Sequence, residues 1–599
     1  MPKRFLFALA LLALLLARPL LAFDPFDARR TLDALLGPQS PLLLLGPLET
    51  EQQFFDVQGD RSFVELRGLK LSGGKASQSP LSLLLREAGQ GMVSVELVDW
   101  PQEIALEGGG RIAWQRLNWR GSWDVEQAGW DRLLLEIEGL NIASDSLNAS
   151  LADFRLEARA RPDRQQIQIR LSEGSLDVRG GMDFLDQIDS LVITASLPKA
   201  QGSMASLYDL LFTAARLAAG TRPPMTDLTA ERPLPRALSG LEIAVTLEGY
   251  QSQNRSLDMT GGLARAQAQL STEARADGTE ALRVSTRLDA PRVTAPDLQL
   301  DSEASVLSFD LQLLTEDQSL SRAFLEDFSL LATFSQMQSL VGFTLDMKAE
   351  EVLLRASLPQ AAQTEGGSEN SDDAGTEDGA GNGAGAANAM QAASPVHAKV
   401  NRAAFNLSLS PPSSDSRDLL MDAQVQGVRA IELPDLGAYD ALAEPLIVPL
   451  LPEDLRLQLR LPELSETTWQ QVLQLDFAAL LDNLADFPAL VLDGSRYQAP
   501  ALQVTLDGQL SYSRAAPLGL AGELSLRTRD IPATIALLRD TAQIEGLEFA
   551  QLLATMALGL QFVANFGTPQ EDESSLFRVT FPEDSMPLLN GAPLPNLPF

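Results

Sequence analysis

The sequence predicts a protein of the α+β class that is mostly β: long antiparallel, curved sheets laid out as meanders, with apolar helices packed on them as lids. Three observations carry this. Period-two alternation recurs along the chain, as where Leu455, Leu457, Leu459 and Leu461 alternate with Arg456, Gln458 and Arg460; such a strand has one buried and one wet face. Segments of helical spacing stand between the strands: Trp469, Val472, Leu473, Phe477, Leu480 and Leu481, within Thr467 to Ala485, recur at threes and fours and so share one side of a helix. Those helices are too apolar to stand alone in water, so they must lie on the sheets.

The chain opens with Lys3 and Arg4, an apolar run from Phe5 to Ala17, and Arg18-Pro19 followed by Leu-Leu-Ala22. This is the charged, hydrophobic and cleavage order of a secretory signal, with cleavage expected after Ala22. Leu20 stands where a small residue is preferred, which leaves an uncleaved inner-membrane anchor as the alternative. The apolar run is short for a span of roughly 20 residues. A short helix is expected over Asp24 to Leu36, then strands over Phe63 to Leu71 and Met92 to Asp99. Beyond the Gly-Gly-Gly turn at 108–110 come Trp114, Trp119, Trp123 and Trp130, read as cross-strand packing in a meander, with a sugar- or lipid-facing aromatic patch as the alternative.

The meander continues through Leu133 to Ile137, Leu147 to Leu156, Ile167 to Leu171 and Leu191 to Leu197, followed by an apolar helix over Met204 to Ala218. A Pro-rich connection, Arg222 to Arg236, sets an internal boundary. The second block repeats the pattern: a strand on Leu241, Ile243, Val245 and Leu247, weaker alternation to Leu300, and a strand on Leu307, Phe309, Leu311 and Leu313. A helix then carries Phe324, Phe328, Leu331, Phe334, Met337 and Leu340, and Phe343 to Leu358 returns to strand. From Ala361 to Pro395 the composition collapses to small and acidic residues, so a disordered linker is expected. The last region begins at Phe405, Leu407 and Leu409. It continues through Leu502, Val504 and Leu506, a strand at Glu523 to Arg527, one or two helices over Ile531 to Phe566, and a final strand on Phe577, Val579 and Phe581. Of these helices, Phe549 to Phe566 is expected to be the most buried lid, membrane insertion being the alternative. The expected division is a signal at 1–22, β-rich regions at 23–220 and 221–360, a linker at 361–396 and a C-terminal β/α domain at 397–599.

Composition excludes several functions. The net charge is -34 over 599 residues, and no Lys/Arg cluster is present to release counterions from phosphate backbones, so nucleic acid is not a partner. There is no cysteine, hence no thiol nucleophile, zinc-thiolate site or disulfide; an exported chain without disulfides suits a bacterial periplasm. The single histidine, His397, borders the low-complexity tract and is poorly placed for a Ser-His-Asp triad. Asp372, Asp373, Glu377 and Asp378 match no calcium-loop spacing. The sequence singles out no catalytic, cofactor-binding or metal residue, and leaves ligand-binding residues unassigned.

The C-terminal third carries a resemblance. Ala404-Phe405-Asn406-Leu407, Leu461-Pro462, the strand at Gly522 to Leu526, the long apolar helix, the final strand and Asn590-Gly591 with its nearby proline resemble an uncharacterised family of exported bacterial proteins. That family in turn is similar to the AsmA-like periplasmic proteins. The resemblance covers about 200 residues and implies an elongated sheet with an apolar groove, a part in lipid traffic and outer-membrane biogenesis, and no catalytic residues. The expectation is a periplasmic, non-enzymatic protein without cofactor that binds or carries lipid or another apolar ligand. The alternative is an envelope assembly factor with closed cores. Envelope proteins and peripheral membrane contact complete the expected partners.

Overall fold

The computed structural model describes residues 48–49, 51–58, 61–68, 70–71, 79–89, 92–105, 109–124, 129–180, 183–199, 239–275, 278–295, 300–315, 340–357, 395–411, 416–432, 446–473, 487–543 and 550–593. The expected signal, the helices at 24–36 and 204–218, residues 324–339 of the next expected helix, residues 474–485 of the helix expected over Thr467 to Ala485, the Pro-rich connection and segment 361–394 lie outside the described residues. Leu340, expected to end a helix, starts the strand Leu340–Ser357. Pro395, expected to close the linker, instead starts the strand Pro395–Leu409.

The chain is mostly β, as its alternation predicts. Apart from the two-stranded pair Leu48–Glu49 with Lys70–Leu71, the described strands join one curved antiparallel sheet in which strands close in sequence are neighbours in space. It is a meander with two ends: among the described residues Gln52–Gln58 pairs on one side only, and the other end is the hairpin Leu588–Leu589 with Ala592–Pro593. A local ring of pairings between Met259 and Ser357 does not close a barrel. Arg292–Ala295 continues the row of Glu280–Asp289 against Met259–Ala274, and Leu300–Glu303 likewise continues the row of Val306–Thr315 against Leu340–Ser357. These are two long strands, each broken once. The sheet also runs without interruption across the expected domain boundaries: Phe184–Pro198 pairs with Glu242–Asn254, and Leu340–Ser357 pairs with Pro395–Leu409.

The breaks belong to a crease that crosses the sheet. Gly139, Glu173, Gly249, Ala290, Glu351 and Gly427 have φ between +49° and +64°, and they stand in alternate strands of the meander. Each sits opposite an extended residue of the next strand: Gly139 lies between the pairs Glu138 with Asp153 and Leu140 with Leu151, and Gly427 between Val400 with Val428 and Arg402 with Gln426. Hydrogen bonds stitch the row, as from Gln115 N to Glu138 O (2.9 Å), Ala290 N to Ser305 O (2.8 Å) and Gly427 N to Glu453 O (2.8 Å). At Gly139, Gly249 and Gly427 a Cβ would meet the side chains of Gln115, Asp189 and Asn401, so both conformation and space require glycine there. Every strand carries one additional residue at this row, so the partner register is kept while the inward parity shifts. Buried residues step from Ile137 to Leu140, from Leu151 to Phe154 and from Leu171 across to Leu176 on the opposite parity.

Glu351 adopts φ +49° without the freedom of glycine, at a cost of roughly 1–2 kcal/mol for an L-residue. Glu351→Gly is therefore expected to raise stability by about 0.5–1 kcal/mol after the added entropy of the unfolded chain. Ala349→Gly, two residues away in extended backbone, is expected to lower it. Denaturant midpoints of the two variants check this, and a loss in both would show that the left-handed conformation is not imposed at 351.

Four helices are described: α1 (Val448–Leu450), α2 (Glu466–Leu473), α3 (Ile531–Thr541) and α4 (Ala550–Ala564). Ser465 caps α2, its Oγ accepting from Thr468 N at 3.1 Å, which satisfies one of the free donors of a helix start. Trp469 packs on Phe343, ring centroids 6.3 Å apart. α3 seats Ile531, Ile535 and Leu538 against Leu502, Leu526 and Phe577. α4 corrects an expectation: only Leu553 and Ala557 are buried in it, because α3 already covers the sheet there and α4 rests on α3 through one narrow strip.

Candidate functional site: the apolar face of the sheet

With the parity shift taken into account, one face of the sheet is apolar across strand after strand. A register row runs Leu117, Ile137, Phe154, Leu171, Leu191 and Leu247. It continues through Ala266, Leu288, Leu307, Ala349, Ala403, Val425 and Leu455. The adjacent row on the opposite face reads Asn118, Glu136, Arg155, Arg170, Val192, Thr246 and Gln267, then Arg287, Ser308, Lys348, Ala404, Gln424 and Arg456. Cross-strand ion pairs stud that second face, among them Arg155 with Glu136 (3.0 Å) and Arg456 with Asp422 (2.6 Å). Several arginines of this face are thus paired with neighbouring carboxylates, each exposed pair contributing little to stability.

The apolar face is not equally covered along its length. Between Val64 and Leu241 it closes on itself as a large core in which Val95, Leu135 and Leu156 are wholly buried. Trp114 and Trp119 belong to this core, and Trp100 lies 5.7 Å from Trp114, which is the packing role expected of the tryptophans. Trp123 and Trp130 are partners in the strand register. Further along, the same face is open: Met347 is 46% exposed, Leu354 42% and Leu457 40%, although all three point to the inward side. A second cluster, with Leu282, Leu311, Leu313, Phe343, Leu409, Leu464 and Trp469, covers one margin of this stretch, and the cluster under α3 covers its far end.

Beyond the crease the face holds a polar spot among apolar neighbours. Asp186 is buried and stands in register between Leu176 and Ser252. The Tyr250 hydroxyl donates to its Oδ1 at 3.3 Å, while Oδ2 has no hydrogen-bond partner. Burial is the largest influence on Tyr250 and raises its pKa above the ordinary tyrosine range, so at neutral pH it is a protonated donor.

The backbone of His397 lies in a strand opposite Arg355 and Glu432, and Asp372, Asp373, Glu377 and Asp378 lie outside the described residues. Among the described residues no cluster of three His, Cys, Asp or Glu could hold a metal, and no helix is long and apolar enough to cross a membrane. The fold and face together define an open antiparallel meander with one apolar and one charged surface. Comparison with protein-family models, with curated proteins and with solved structures finds no match to the chain.

Proposed function

We propose that the chain is an exported, periplasmic, non-enzymatic protein that holds lipid or another apolar ligand along the apolar face of its sheet, in the service of envelope biogenesis. The observation that carries this reading is the partial exposure of Met347, Leu354 and Leu457 on a face that is closed between Val64 and Leu241. A core built only for stability would cover these side chains, since burying a large apolar group contributes roughly 1.5–3 kcal/mol. A bound acyl chain would cover them instead, at about 0.8 kcal/mol per buried methylene. The second reading, an envelope scaffold without ligand, is favoured by the closed core between Val64 and Leu241.

Native mass spectrometry of the purified chain is expected to find co-purifying lipid, and a fluorescent fatty-acid probe is expected to bind. Met347→Glu places a charge on the open part of the face and is expected to weaken probe binding about tenfold or more, with less than ~1.5 kcal/mol of stability lost. Absence of both lipid and probe binding in the unmutated chain would leave the scaffold.

A further inference from the structure

The outer side of α4 is an apolar surface that the sheet does not use. The helix reads AQLLATMALGLQFVA and holds no charged residue over its 15 positions. Its inner strip, Leu553 and Ala557 with Leu560 and Ala564, meets α3 and Phe577. At 100° per residue Leu558 and Phe562 stand opposite that strip and Leu552, Met556 and Val563 lie along one flank of it, all five between 43% and 62% exposed. A helix that is apolar on all sides belongs in a core or against lipid, and this one is only narrowly covered by its own protein.

Three properties decide what covers it. The exposed apolar area, about half of five large side chains, is on the order of 500 Å², within the range of functional surface patches. It is comparable with the apolar part, about 57%, of the roughly 800 Å² per partner that a standard protein interface buries, so charge and not area separates the occupants: two chains that each carry a net charge of -34 repel one another. Two polar groups on the exposed sides of the helix have partners within the protein: Thr555 Oγ1 donates to the Gln551 carbonyl at 2.7 Å, and the Gln561 side-chain oxygen accepts from Arg539. Such internal satisfaction is what a hydrocarbon environment requires of a hydroxyl or amide. Finally, the helix lacks the Lys and Arg that bind anionic headgroups, and the chain carries a net charge of -34, so an acidic surface would repel it.

We propose that α4 is a membrane-docking helix that lays Leu552, Met556, Leu558, Phe562 and Val563 into the surface of a charge-neutral, zwitterionic lipid layer. The helix lies along the interface and does not cross it. Because α3, on which α4 rests, covers the end of the apolar face at Leu502 and Leu526, docking sets that end of the sheet against the lipid. This inference concerns attachment and holds whether or not the open face carries a ligand.

The test is flotation of the full chain with phosphatidylcholine vesicles, with and without phosphatidylglycerol, alongside Leu558→Glu/Phe562→Glu. Leu558 is exposed and Phe562 is half exposed, with an edge contact to Phe566 at 5.0 Å between ring centroids, so the variant is expected to stay folded with a small fall in its unfolding midpoint. The expected result is binding to phosphatidylcholine that resists high salt, weakens as phosphatidylglycerol is added, and falls about tenfold or more in the variant. Three results would overturn the proposal: no flotation of the unmutated chain, equal flotation of the variant, or a dimer in analytical ultracentrifugation that the variant dissociates. The last would assign the face to a second copy. Native mass spectrometry for bound lipid reads the open face independently, so failure of docking and failure of the ligand reading remain distinguishable.

Discussion

Phe154→Ala is expected to destabilise the chain by about 3–5 kcal/mol, the largest single effect anticipated for this fold. Phe154 is 1% exposed and stands one step past the crease, in register between Ile137 and Leu171. The close packing of a buried ring leaves no room for neighbours to collapse into the space it vacates. Leu156, Leu135 and Ile169 lie on the same side in adjoining pairs, so the cavity opens in the middle of the core. Met347→Ala removes a side chain of comparable size from the open part of the same face and is expected to cost less than about 1.5 kcal/mol. Chemical denaturation of the two variants, analysed at constant m-value, provides the comparison. Equal losses would show that the face is covered at Met347 as it is at Phe154, and would count against the ligand reading.

Arg417→Ala is expected to cost about 2–4 kcal/mol. Arg417 lies at a register shift where Ser416–Glu432 meets Asp454–Ser465, and the irregularity sets its side chain at the margin of the apolar face. There it is 6% exposed. Its Nε donates to Glu466 Oε2 at 2.7 Å and its Nη1 donates to the Val341 carbonyl. The guanidinium thereby ties the first turn of α2 to the strand that carries Phe343, beside the Trp469 contact. Removing it leaves the carbonyl without this donor and opens a space beneath α2, while Glu466, 44% exposed, can be rehydrated, which holds the loss below that of a fully buried pair. Arg417→Met, which fills the space without the charge, is expected to recover part of the loss. Tryptophan fluorescence during denaturation follows α2 through Trp469, and an unchanged midpoint in Arg417→Ala would show that α2 is held by its apolar contacts alone.

Much of the architecture is legible in the residues because alternation is a local property. Leu455 to Leu461, Leu307 to Leu313 and Ile167 to Leu171 each show an unbroken period of two, and each lies within an observed strand. The weak alternation between Leu247 and Leu300 has a physical cause: the crease adds one residue at Gly249, Ala264 and Ala290, so the inward parity changes within single strands. Read with a fixed period, such a strand looks irregular although both halves are regular. Glycine marks the crease at three of its six left-handed positions, but Glu173, Ala290 and Glu351 give no local signal. Their conformation is imposed by neighbouring strands that all bend at one row.

The helices divide in the same way. Apolar spacing is sufficient to place α2, α3 and α4 between the right strands, and the N-cap at Ser465 is readable from the residue type. How deeply each is buried depends on what already covers the sheet. The sequence of α4, more apolar than that of α3, implies the deeper position, yet α3 occupies the sheet first and leaves α4 with one buried strip. The sequence by itself determined the mostly β class, the apolar and polar faces of the strands whose alternation is unbroken, and the absence of cysteine. Only the tertiary structure decided the continuity of one sheet across the breaks in composition, the alignment of the crease, and which lengths of the apolar face are closed and which stay open. Those outcomes depend on pairing between segments far apart in sequence, and the free energy of pairing is set by neighbours that no local pattern contains.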